Sequence, residues 1–399
     1  MMGTGPRILS VYNRYLTRGG EDEIFDSELA LLRRHDQVVI PVTESVSQPH
    51  SLRQLVRSGT DVVWSRQWHK RFLRLMHESK PDIVHIHNTF PVMSPSVCYA
   101  ARKAGAAVVH TLHNYRLVCP NAICFRNGHP CQDCLGRATP WPGILHACYR
   151  DSRLESAGVA AMLTAHRILK TWERQVDAYI ALTQFERSVL IRGGLPAERV
   201  YVKPNFVYPD PGPRERDGDF CLFVGRLATH KGFPTLVRAW KHLSGIPLRV
   251  VGTPTSATEE RNVSASTAVS SDIELLGMVS RDQVFDLMKG ARLLVFPSEC
   301  YETFGLTIVE AFACGVPVIV SRLGAMADLV EDGLTGLHFT PGDSDDLAKK
   351  VKWAWTQREQ MAIMGREARR EYESKYNAEV NYEMLLDIYA RARKHRDRH

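Results

Sequence analysis

Short runs of β-branched and other apolar residues alternate with stretches of helical periodicity along the first half of the chain. Arg7–Tyr12 is such a run, and Glu21–Arg34 follows it with Phe25, Leu29 and Leu32 on one helical face. Further predicted strands are Asp82–His87, Ala106–Thr111 and Asp177–Leu182. Strands that are apolar throughout and interleaved with helices are typical of a parallel sheet covered on both faces. The pattern therefore predicts an α/β domain with a doubly wound parallel sheet.

The alternation stops at Tyr208–Gly218, where eleven residues include three prolines, two glycines and five charged side chains, a composition that favours a linker. It then resumes, with strands predicted at Phe220–Val224, Leu248–Val251, Ile273–Leu276, Leu293–Phe296 and Val316–Val320. The predicted organisation is a first domain at 1–208, a linker at 209–218, a second domain at 219–375, and a terminal helix with a basic tail at 376–399. The Thr- and Ser-rich stretch Thr253–Ser271 is predicted to be a loop. Ligands of doubly wound sheets bind at the carboxyl ends of the strands, so the site is expected there.

The composition of the 399-residue chain is that of a globular protein, with 44% hydrophobic and 24% charged residues. The net charge of +7, from 51 basic and 44 acidic residues, does not indicate a nucleic-acid-binding protein, and no groove-reading motif is present. The apolar run Ile8–Val11 is too short for the core of a signal peptide. Ile83–Ala101, the longest uncharged stretch, contains prolines and histidines that do not fit a membrane-spanning helix. We therefore expect a cytoplasmic protein of enzyme size that binds no nucleic acid.

The most informative segment follows the predicted strand Phe220–Val224 and contains Gly225, Arg226 and Lys231. Gly225 lets the backbone approach a ligand, and the two cations bracket a loop that leads into a helix. Two fixed positive charges and a helix N-terminus can together neutralise a diphosphate without a metal ion. The alternative is that both cations are solvated side chains on an ordinary βα loop.

A second segment, Pro297–Glu310, also follows a predicted strand. A helix is predicted from about Thr303 to Cys314, which places Glu302 at its start and Glu310 eight residues further on. Carboxylates accept hydrogen bonds from vicinal hydroxyls, so one of these residues could hold a sugar and the other a ribose. An acidic residue near a helix start also stabilises the helix dipole, an alternative that fits Glu302 but explains Glu310 poorly.

These segments resemble glycosyltransferase family 4. The resemblance rests on five motifs: Glu302-x7-Glu310 with Phe304-Gly305, Ala313-Cys-Gly-Val-Pro317, Gly225-Arg-Leu followed by Lys231-Gly232, Lys203-Pro-Asn205, and Leu329–Gly336. It implies the GT-B fold, in which two Rossmann-like domains face each other across a cleft. It also implies transfer of a sugar from a nucleotide sugar with retention of the anomeric configuration.

The resemblance implies roles for individual residues. Arg226 and Lys231 would hold the donor diphosphate, Glu302 the hydroxyls of the donor sugar, and Glu310 the ribose. His113 matches the histidine that family members place near the donor sugar, whereas the alternative is a hydrogen-bonded histidine at a strand end. The catalytic set is then His113, Glu302, Arg226 and Lys231. The rest of the donor site is Gly19, Gly20, Met278, Val279, Thr303, Phe304, Gly305 and Leu306, and the acceptor residues are His87, Asn88 and Asn114.

The mechanism predicted from the sequence is a same-face displacement. No carboxylate is identifiable as a nucleophile, so a covalent intermediate is not supported. Arg226 and Lys231 would stabilise the leaving diphosphate, and no cofactor is expected to be required for catalysis. Asp343-Ser-Asp345 spells the DxD string of metal-using transferases, but apolar residues at helical spacing follow it. We therefore predict that Asp343 caps a helix.

Cysteines cluster in the first domain, at Cys119, Cys124, Cys131, Cys134 and Cys148. The Cys131-Gln-Asp-Cys134 spacing is that of a zinc knuckle. The predicted structural zinc site uses Cys119, Cys131, Cys134 and Cys148, which resemble cysteines of one branch of the family, whereas Cys124 does not. The alternatives are free, partly buried thiols, a redox role, or a ligand set in which His129 or His146 replaces a cysteine.

Two basic stretches have more than one interpretation. Trp64–Met76 mixes cations with aromatic residues in helical register. It could lie on an anionic membrane at the inner face, where a lipid-linked acceptor would be found, or it could pack its aromatic side chains inward. Tyr376–Ala390 is predicted to be the terminal helix, and the resemblance implies that it crosses back onto the first domain. The tail Arg391–His399 is predicted to be a frayed, solvated end, with attraction to a membrane as the alternative.

The expected partners are a nucleotide-diphosphate sugar donor and a glycan or lipid-linked acceptor, in bacterial polysaccharide or glycoconjugate biosynthesis. UDP is favoured as the donor nucleotide because it is the commonest in the family, and GDP is the alternative. The rival enzyme functions are a nucleotide-sugar epimerase or another GT-B enzyme such as a phosphorylase. A rival of another class is a catalytically silent regulator that binds nucleotide sugars.

Overall fold

The computed structural model describes residues 5–14, 19–45, 61–254, 259–261, 263 and 271–398. The chain divides into two compact units. The first unit comprises the chain up to Cys124, Gln132–Pro204 and Asn381 onward, and the second comprises Phe125–Cys131 and Asn205–Val380. Each unit is built on its own six-stranded sheet, so the prediction of two doubly wound α/β domains is confirmed.

The described strands, in chain order, are β1 (Ile8–Arg14), β2 (Val39–Ser45), β3 (Ile83–Asn88), β4 (Ala107–Thr111), β5 (Phe125–Arg126), β6 (His129–Pro130), β7 (Ala178–Ala181), β8 (Val200–Val202), β9 (Phe220–Val224), β10 (Leu248–Val251), β11 (Ile273–Gly277), β12 (Ala291–Phe296), β13 (Val318–Ser321) and β14 (Gly336–Phe339). The sequence pattern did not predict β2, β5, β6, β8 or β14. Of these, β2, β8 and β14 lie at the edges of the two six-stranded sheets.

The first sheet has the order β2-β1-β3-β4-β7-β8, and all its strands are parallel. Every residue of β3, β4 and β7 is buried, as expected for strands covered by helices on both faces. The polar residues His85, His87 and His110 are nevertheless buried within these strands. These three imidazoles make this part of the core polar, and buried polar groups need hydrogen-bond partners.

The described helices of the first unit include Gly20–Arg34, Arg66–Ser79, Ser96–Lys103, Trp141–Leu145, Arg153–Ile168, Thr171–Arg174 and Gln184–Arg192. Hydroxyl side chains cap several of them: Ser65 Oγ, for example, accepts a hydrogen bond from the backbone N–H of Trp68. In the helix Arg66–Ser79, the side chains of Trp68, Phe72 and Met76 are buried. Of the two interpretations of Trp64–Met76, the structure shows inward packing of the aromatic residues Trp68 and Phe72.

The cysteine-rich segment contains the hairpin of β5 and β6, which groups with the second unit. Its two-residue turn, Asn127 and Gly128, has φ angles of 52° and 79°. Asn-Gly is the sequence that this kind of hairpin turn favours, because both residues tolerate positive φ.

The second sheet has the order β11-β10-β9-β12-β13-β14 and is also parallel. The described helices of the second unit include Phe233–Trp240, Arg281–Gly290, Leu306–Ala313, Ala325–Leu329, Ser344–Thr356 and Arg358–Glu371. Trp240 is fully buried in the core, and its indole Nε1 donates a hydrogen bond of 2.9 Å to the carbonyl of Ile246.

The predicted linker is held against the second unit. Asp210 forms an ion pair of 2.7 Å with Arg369, and Arg214 Nη1 donates a hydrogen bond of 2.7 Å to the carbonyl of Ala291. The Pro- and Gly-rich composition therefore marks an ordered connection that lacks helix and strand, not a solvated tether.

Three expectations about elements are corrected. The helix predicted to begin at Thr303 begins at Leu306, because Gly305 adopts a left-handed conformation with φ 101° that ends the preceding loop. The tail predicted to fray is helical through Arg396 in the helix Ala378–Arg396. It is held because Ala392 is fully buried and His395 Nδ1 lies 2.9 Å from Asp177 Oδ1.

The third correction concerns the loop predicted at Thr253–Ser271. Glu259–Arg261 and Val263 are helical, and Val263 packs into the core of the second unit. Residues 255–258, 262 and 264–270 lie outside the described residues.

Among the residues that the structure describes, no helix combines the length and the apolar character that crossing a membrane requires.

Candidate active site

Two loops leave the carboxyl edge of the second sheet side by side. β9 and β12 are parallel neighbours, so the loop Gly225–Lys231 after β9 begins beside the loop Pro297–Gly305 after β12. This edge is where doubly wound sheets bind their ligands. The sheet order therefore brings together the two segments that the sequence analysis singled out separately.

A charged contact joins the two loops. Lys231 Nζ lies 2.7 Å from Glu302 Oε1, and Ser298 Oγ donates a hydrogen bond of 2.6 Å to the same oxygen. The side chains of Lys231 and Glu302 are only 20% and 13% exposed. Ser298 was not predicted as a site residue, although a polar residue two positions after the buried strand β12 is a signal that could have identified it.

The charge states at this edge follow from the contact. Burial by itself raises the pKa of Glu302, but the charge of Lys231 and the hydrogen bonds from Lys231 and Ser298 outweigh it, so the pKa is lowered and the carboxylate is ionised. Burial and the nearby charges of Lys231 and Arg226 lower the pKa of His230 to about 4, so this imidazole is neutral at pH 7. This part of the edge thus combines the ionised Glu302 carboxylate with the Lys231 ammonium.

Gly232 is required by the close approach of the two loops. Its φ is 70°, and a Cβ placed on it would lie 1.8 Å from the carbonyl oxygen of Pro297. Any side chain here would drive the Lys231 loop away from the Glu302 loop. The glycine therefore sets the distance between the two charged residues.

Arg226 stands at the start of the same loop and is exposed. Within the described ranges, no acidic side chain forms an ion pair with it, whereas Lys231 is paired with Glu302. An exposed guanidinium beside a half-buried ammonium leaves both cations able to reach an anion at this edge.

Glu310 occupies a different position from Glu302. It lies within the helix Leu306–Ala313 and is buried, 8% exposed, whereas Glu302 lies in the loop before that helix. The sequence predicts one helix that begins beside Glu302 and carries Glu310. In the structure the two carboxylates are not spaced along one helix. The residues between them that were predicted for the donor site are Thr303, the buried Phe304, the N-cap Gly305 and the first helical residue Leu306.

The turn that contains Met278 and Val279, which the resemblance assigns to the donor site, lies at the same edge. It follows β11, whose last residue, Gly277, has a φ of 68° and accepts a hydrogen bond of 2.8 Å from the backbone N–H of Gly252. Met278 is 67% exposed, and Val279 is half-buried. An exposed methionine at the strand edge offers an apolar surface on which a flat ring can stack.

The first unit gathers its predicted site residues at the carboxyl edge of its own sheet, where β1, β3 and β4 are adjacent. Gly19 precedes the helix Gly20–Arg34. Asn114 Nδ2 donates a hydrogen bond of 3.2 Å to Glu21 Oε1, and Asn88 Nδ2 donates one of 3.3 Å to the carbonyl of Asn13. A small cavity of about 40 Å³ lies here, lined in part by His87, Asn88, His113 and Asn114.

Beneath this edge lies a buried network of ionisable side chains. His87 Nδ1 lies 3.0 Å from His113 Nε2, and Glu28 Oε1 lies 3.2 Å from His87 Nε2 and 3.0 Å from His85 Nδ1. Lys203 Nζ is 3.4 Å from Glu28 Oε2. Sequence analysis gave Glu28 and His85 no role. The signal in the sequence is the pair His85 and His87, which stand at alternate positions of the otherwise apolar strand β3. This spacing places both side chains on one face of the strand.

Cys119 of the predicted zinc set is in contact with Cys124, which lies outside that set. A hydrogen bond from the Cys124 thiol is the main cause that lowers the pKa of Cys119 to about 6, although burial opposes it. Cys134 Sγ lies 3.8 Å from the carbonyl of Pro140. Among the described residues, the group of three or more ligating side chains within 4.8 Å of one another is Glu28, His85 and His87, and it contains no cysteine.

The DxD string behaves as predicted from its context. Asp343 is the N-cap of the helix Ser344–Thr356, and its Oδ1 accepts hydrogen bonds from the backbone N–H groups of Asp345 and Asp346. Asp343 is therefore occupied in capping the helix.

The sequence of the chain matches two family models. Residues 18–210 match the model described as Glycosyltransferase Family 4, and residues 209–371 match the model described as Glycosyl transferases group 1. The boundary between the two matches falls at the start of the predicted linker.

Curated relatives match parts of the chain. It is 27% identical over 239 residues to the lipopolysaccharide 1,2-N-acetylglucosaminetransferase of Salmonella typhimurium, a match that covers 54% of this chain and 63% of the relative. It is 30% identical over 249 residues to the D-inositol 3-phosphate glycosyltransferase of Xylanimonas cellulosilytica, covering 55% and 58%. Across the first three relatives, the chain spans 43% to 63% of their length.

Solved structures share the fold over almost the whole chain. Anabaena HepE in complex with UDP and glucose is 19% identical, with a TM-score of 0.67, and the match covers 96% of this chain and 99% of HepE. Sucrose-phosphate synthase of Thermosynechococcus elongatus is 17% identical, with a TM-score of 0.71 and coverage of 96% and 98%. With the two family models matching from residue 18 to residue 371 and two doubly wound sheets of the GT-B kind, the chain belongs to glycosyltransferase family 4.

Proposed function

We propose that this chain is a retaining glycosyltransferase that moves a hexose from a nucleotide-diphosphate sugar to a glycan or lipid-linked acceptor. The observation that carries the proposal is the 2.7 Å contact between Lys231 and Glu302 beside the exposed Arg226. A nucleotide sugar carries a diphosphate next to a ring rich in hydroxyls. Two cations, one of them paired with a carboxylate, match both parts, because cations bind phosphate and carboxylates accept hydrogen bonds from hydroxyls.

The donor in this proposal is a UDP-sugar, with a GDP-sugar as the alternative. HepE is bound to UDP and glucose in one structure and to UDP-glucose in another, which supports UDP. The Salmonella relative is a transferase acting on lipopolysaccharide, which supports a role in bacterial polysaccharide or glycoconjugate biosynthesis. Glu310, buried on its helix, is the residue that we propose for the ribose hydroxyls.

In the proposed reaction, the bond between the anomeric carbon and the phosphate oxygen breaks while the acceptor hydroxyl oxygen bonds to the same face of that carbon. The proton of the acceptor hydroxyl passes to an oxygen of the departing phosphate, and the nucleoside diphosphate leaves. Arg226 and Lys231 stabilise the negative charge that develops on the phosphate. With two cations in this role, we propose that catalysis requires no divalent ion and no cofactor.

The acceptor is proposed to reach the enzyme in the cytoplasm, at the inner face of the membrane if it is lipid-linked. The buried side chains of the helix Arg66–Ser79 leave Arg66, Lys70 and Arg74 exposed on its other face. Such a basic face would attract anionic lipids. The proposal predicts co-flotation with anionic vesicles at low salt that is lost when these three residues are replaced by glutamine.

The proposed function is tested by incubating the protein with UDP-, GDP- and ADP-sugars in the presence of a chelator. A true donor at about 100 times its Kd should add about 2.7 kcal/mol of apparent stability. Product analysis by NMR should then give a glycoside with the anomeric configuration of the donor. Inversion of configuration would overturn the retaining assignment, epimerised nucleotide sugar would identify an epimerase, and binding without any turnover of donor and acceptor would identify a regulator.

A further inference from the structure

A cavity of about 640 Å³ lies in the first unit at the amino edge of its sheet. It is lined in part by Pro81 and Asp82, directly before β3, and by Ala107, the first residue of β4. The predicted site residues of this unit lie at the opposite, carboxyl edge, so the length of β3, about 15–20 Å, separates the two. The volume is within the range of about 300–1,000 Å³ that is typical of small-molecule sites.

The lining of this cavity is rich in positive charge. It includes four basic side chains, each at the carboxyl end of a helix: Lys80, Lys103, Arg393 and Arg396. The acidic residues of the lining are Asp82 and Asp397. These six side chains therefore carry a formal surplus of two positive charges, and we call the site the basic cavity.

The four cations of the basic cavity are not neutralised by neighbouring side chains. In the described part of the chain, none of them forms an ion pair, and Asp82 Oδ2 accepts a hydrogen bond of 2.8 Å from the backbone N–H of Arg7. Arg396 is half-buried, and its buried Nε has no hydrogen-bond partner among the same residues. Because a partly buried charge without a partner is costly, an anion in the cavity would stabilise Arg396.

The buried carboxylate of Asp177 holds two sides of the cavity in place. Its Oδ1 accepts a hydrogen bond of 2.6 Å from Arg102 Nη1 and lies 2.9 Å from His395 Nδ1. Arg102 directly precedes Lys103, and His395 directly precedes Arg396. Asp177 therefore fixes the ends of two helices, so that Lys103 and Arg396 are positioned before any ligand binds.

The alternative is that these cations only complement the dipoles of the helix ends. Backbone groups already satisfy carbonyls there. Lys80 N–H donates a hydrogen bond of 3.0 Å to the carbonyl of Met76, and Gly105 N–H donates one of 3.1 Å to the carbonyl of Arg102. A dipole interaction also does not require cations from three separate helices to line one cavity, whereas an anion site does.

We propose that the basic cavity binds a phosphomonoester. This group carries about two negative charges at pH 7 and three acceptor oxygens, so it matches both the surplus charge and the many N–H donors of two lysines and two arginines. The phosphomonoester is either a free ligand or the headgroup of a lipid, and the recognition chemistry is the same for both. The site is distinct from the proposed donor site, and the proposal does not depend on the proposed function.

The first test is calorimetric titration of the full-length protein with glycerol phosphate. We expect saturable binding that weakens at least about 10-fold in the double variant Lys103→Gln/Arg393→Gln. Both side chains are exposed, so folding should be preserved. The double variant Lys349→Gln/Lys394→Gln removes the same charge from exposed positions outside the lining and should bind as the wild type does. No binding to the wild type, or equal losses in the two double variants, would overturn the proposal.

A second comparison separates the basic cavity from the proposed donor site, which also has cations suited to phosphate. Lys231→Ala should leave the affinity for glycerol phosphate unchanged, and Lys103→Gln/Arg393→Gln should leave the affinity for UDP unchanged. Loss of glycerol phosphate binding in Lys231→Ala alone would place the ligand at the other site and overturn the proposal. Failure to bind or use any nucleotide sugar, with glycerol phosphate binding intact, would contradict the proposed function and leave the basic cavity supported.

Flotation with vesicles identifies the source of the phosphomonoester. Phosphatidylcholine vesicles with phosphatidic acid, a phosphomonoester lipid, are compared with vesicles of equal negative charge that contain phosphatidylglycerol. A preference for phosphatidic acid that is lost in Lys103→Gln/Arg393→Gln would support a lipid headgroup as the ligand. Calorimetric binding of glycerol phosphate without this preference would support a free ligand. The absence of both would overturn the proposal.

Discussion

Lys231 and Glu302 form an ion pair of 2.7 Å although 71 residues separate them along the chain. The pair exists because β9 and β12 are adjacent in the sheet and Gly232 lets their loops approach. This ion pair joins Lys231, which is expected to bind phosphate, to Glu302, which is expected to bind a sugar. Under the proposed function, displacing either residue would therefore disturb the contacts to both the diphosphate and the sugar of the donor.

Replacing Lys231 by alanine should lower kcat/KM by about 100- to 1000-fold, the usual loss when one charged contact to a transition state is removed. Lys231→Arg should retain part of the activity, because the positive charge remains. Lys241→Ala, at the exposed end of the following helix, is the control and should behave as wild type. Unchanged kinetics in Lys231→Ala, measured by release of the nucleoside diphosphate, would remove Lys231 from the site.

Gly232→Ala should destabilise the protein by about 2–4 kcal/mol in urea denaturation, since both backbone strain and a steric clash oppose it. The clash is with the Pro297 carbonyl oxygen, 1.8 Å from the added Cβ. Gly245→Ala is the matched control, because its φ of 66° is similar but nothing lies within 4 Å of an added Cβ. It should cost only about 1–2 kcal/mol, from strain alone. Equal losses in the two variants would contradict the assigned contact.

Stability should fall as the pH is lowered from 7 to 5. Burial lowers the pKa of His85 to about 4 and that of His110 to about 3, against 6.5 for an ordinary histidine. The unfolded chain therefore binds more protons than the folded chain in this window, so acid favours unfolding. Each residue should contribute about 2 kcal/mol to the loss.

Urea denaturation at the two pH values measures this slope. His110→Gln should remove about 2 kcal/mol of the pH-dependent loss. Replacement of the exposed His242 by glutamine should leave the slope as it is. A slope that is unaffected by His110→Gln would show that His110 is not buried as the neutral form.

Glu310→Gln should weaken the binding of free UDP about 10- to 100-fold in calorimetry, because a hydrogen bond to a charged group contributes about 1.5–3 kcal/mol. The amide keeps the shape of the buried side chain, so folding should be preserved. Glu359→Gln, at an exposed position of the second unit, is the control. If UDP affinity is retained and only turnover falls, the ribose assignment is wrong.

The zinc prediction calls for elemental analysis of protein purified without added metal. The predicted set requires about one zinc per chain, lost when Cys131 and Cys134 are both replaced by serine. Cys124→Ser should retain the metal, because Cys124 is outside the set. The contact of Cys119 with Cys124 makes this control decisive: loss of zinc in Cys124→Ser, or no zinc in the wild type, would retire the predicted set.

The sequence by itself determined the parts of this protein that depend on neighbouring residues. The alternation of apolar strands with amphipathic helices gave the α/β class and the positions of most central strands. The Pro-rich stretch Tyr208–Gly218 marked the change from one sheet to the next, and the apolar spacing after Asp343 identified a helix cap. Hydrophobic periodicity and capping act over a few residues, so they can be read along the chain.

Only the tertiary structure decided the contacts that build the site. Three sets of contacts do not follow from local spacing. They are the ion pair of Lys231 with Glu302, the buried network that contains Glu28 and His113, and the contact of Cys119 with Cys124. The start of the helix at Leu306 and the anchored tail also depend on backbone conformation and burial that periodicity does not fix. The physical reason is that sheet order sets which strand ends are adjacent, and this order is chosen by the packing of the whole sheet.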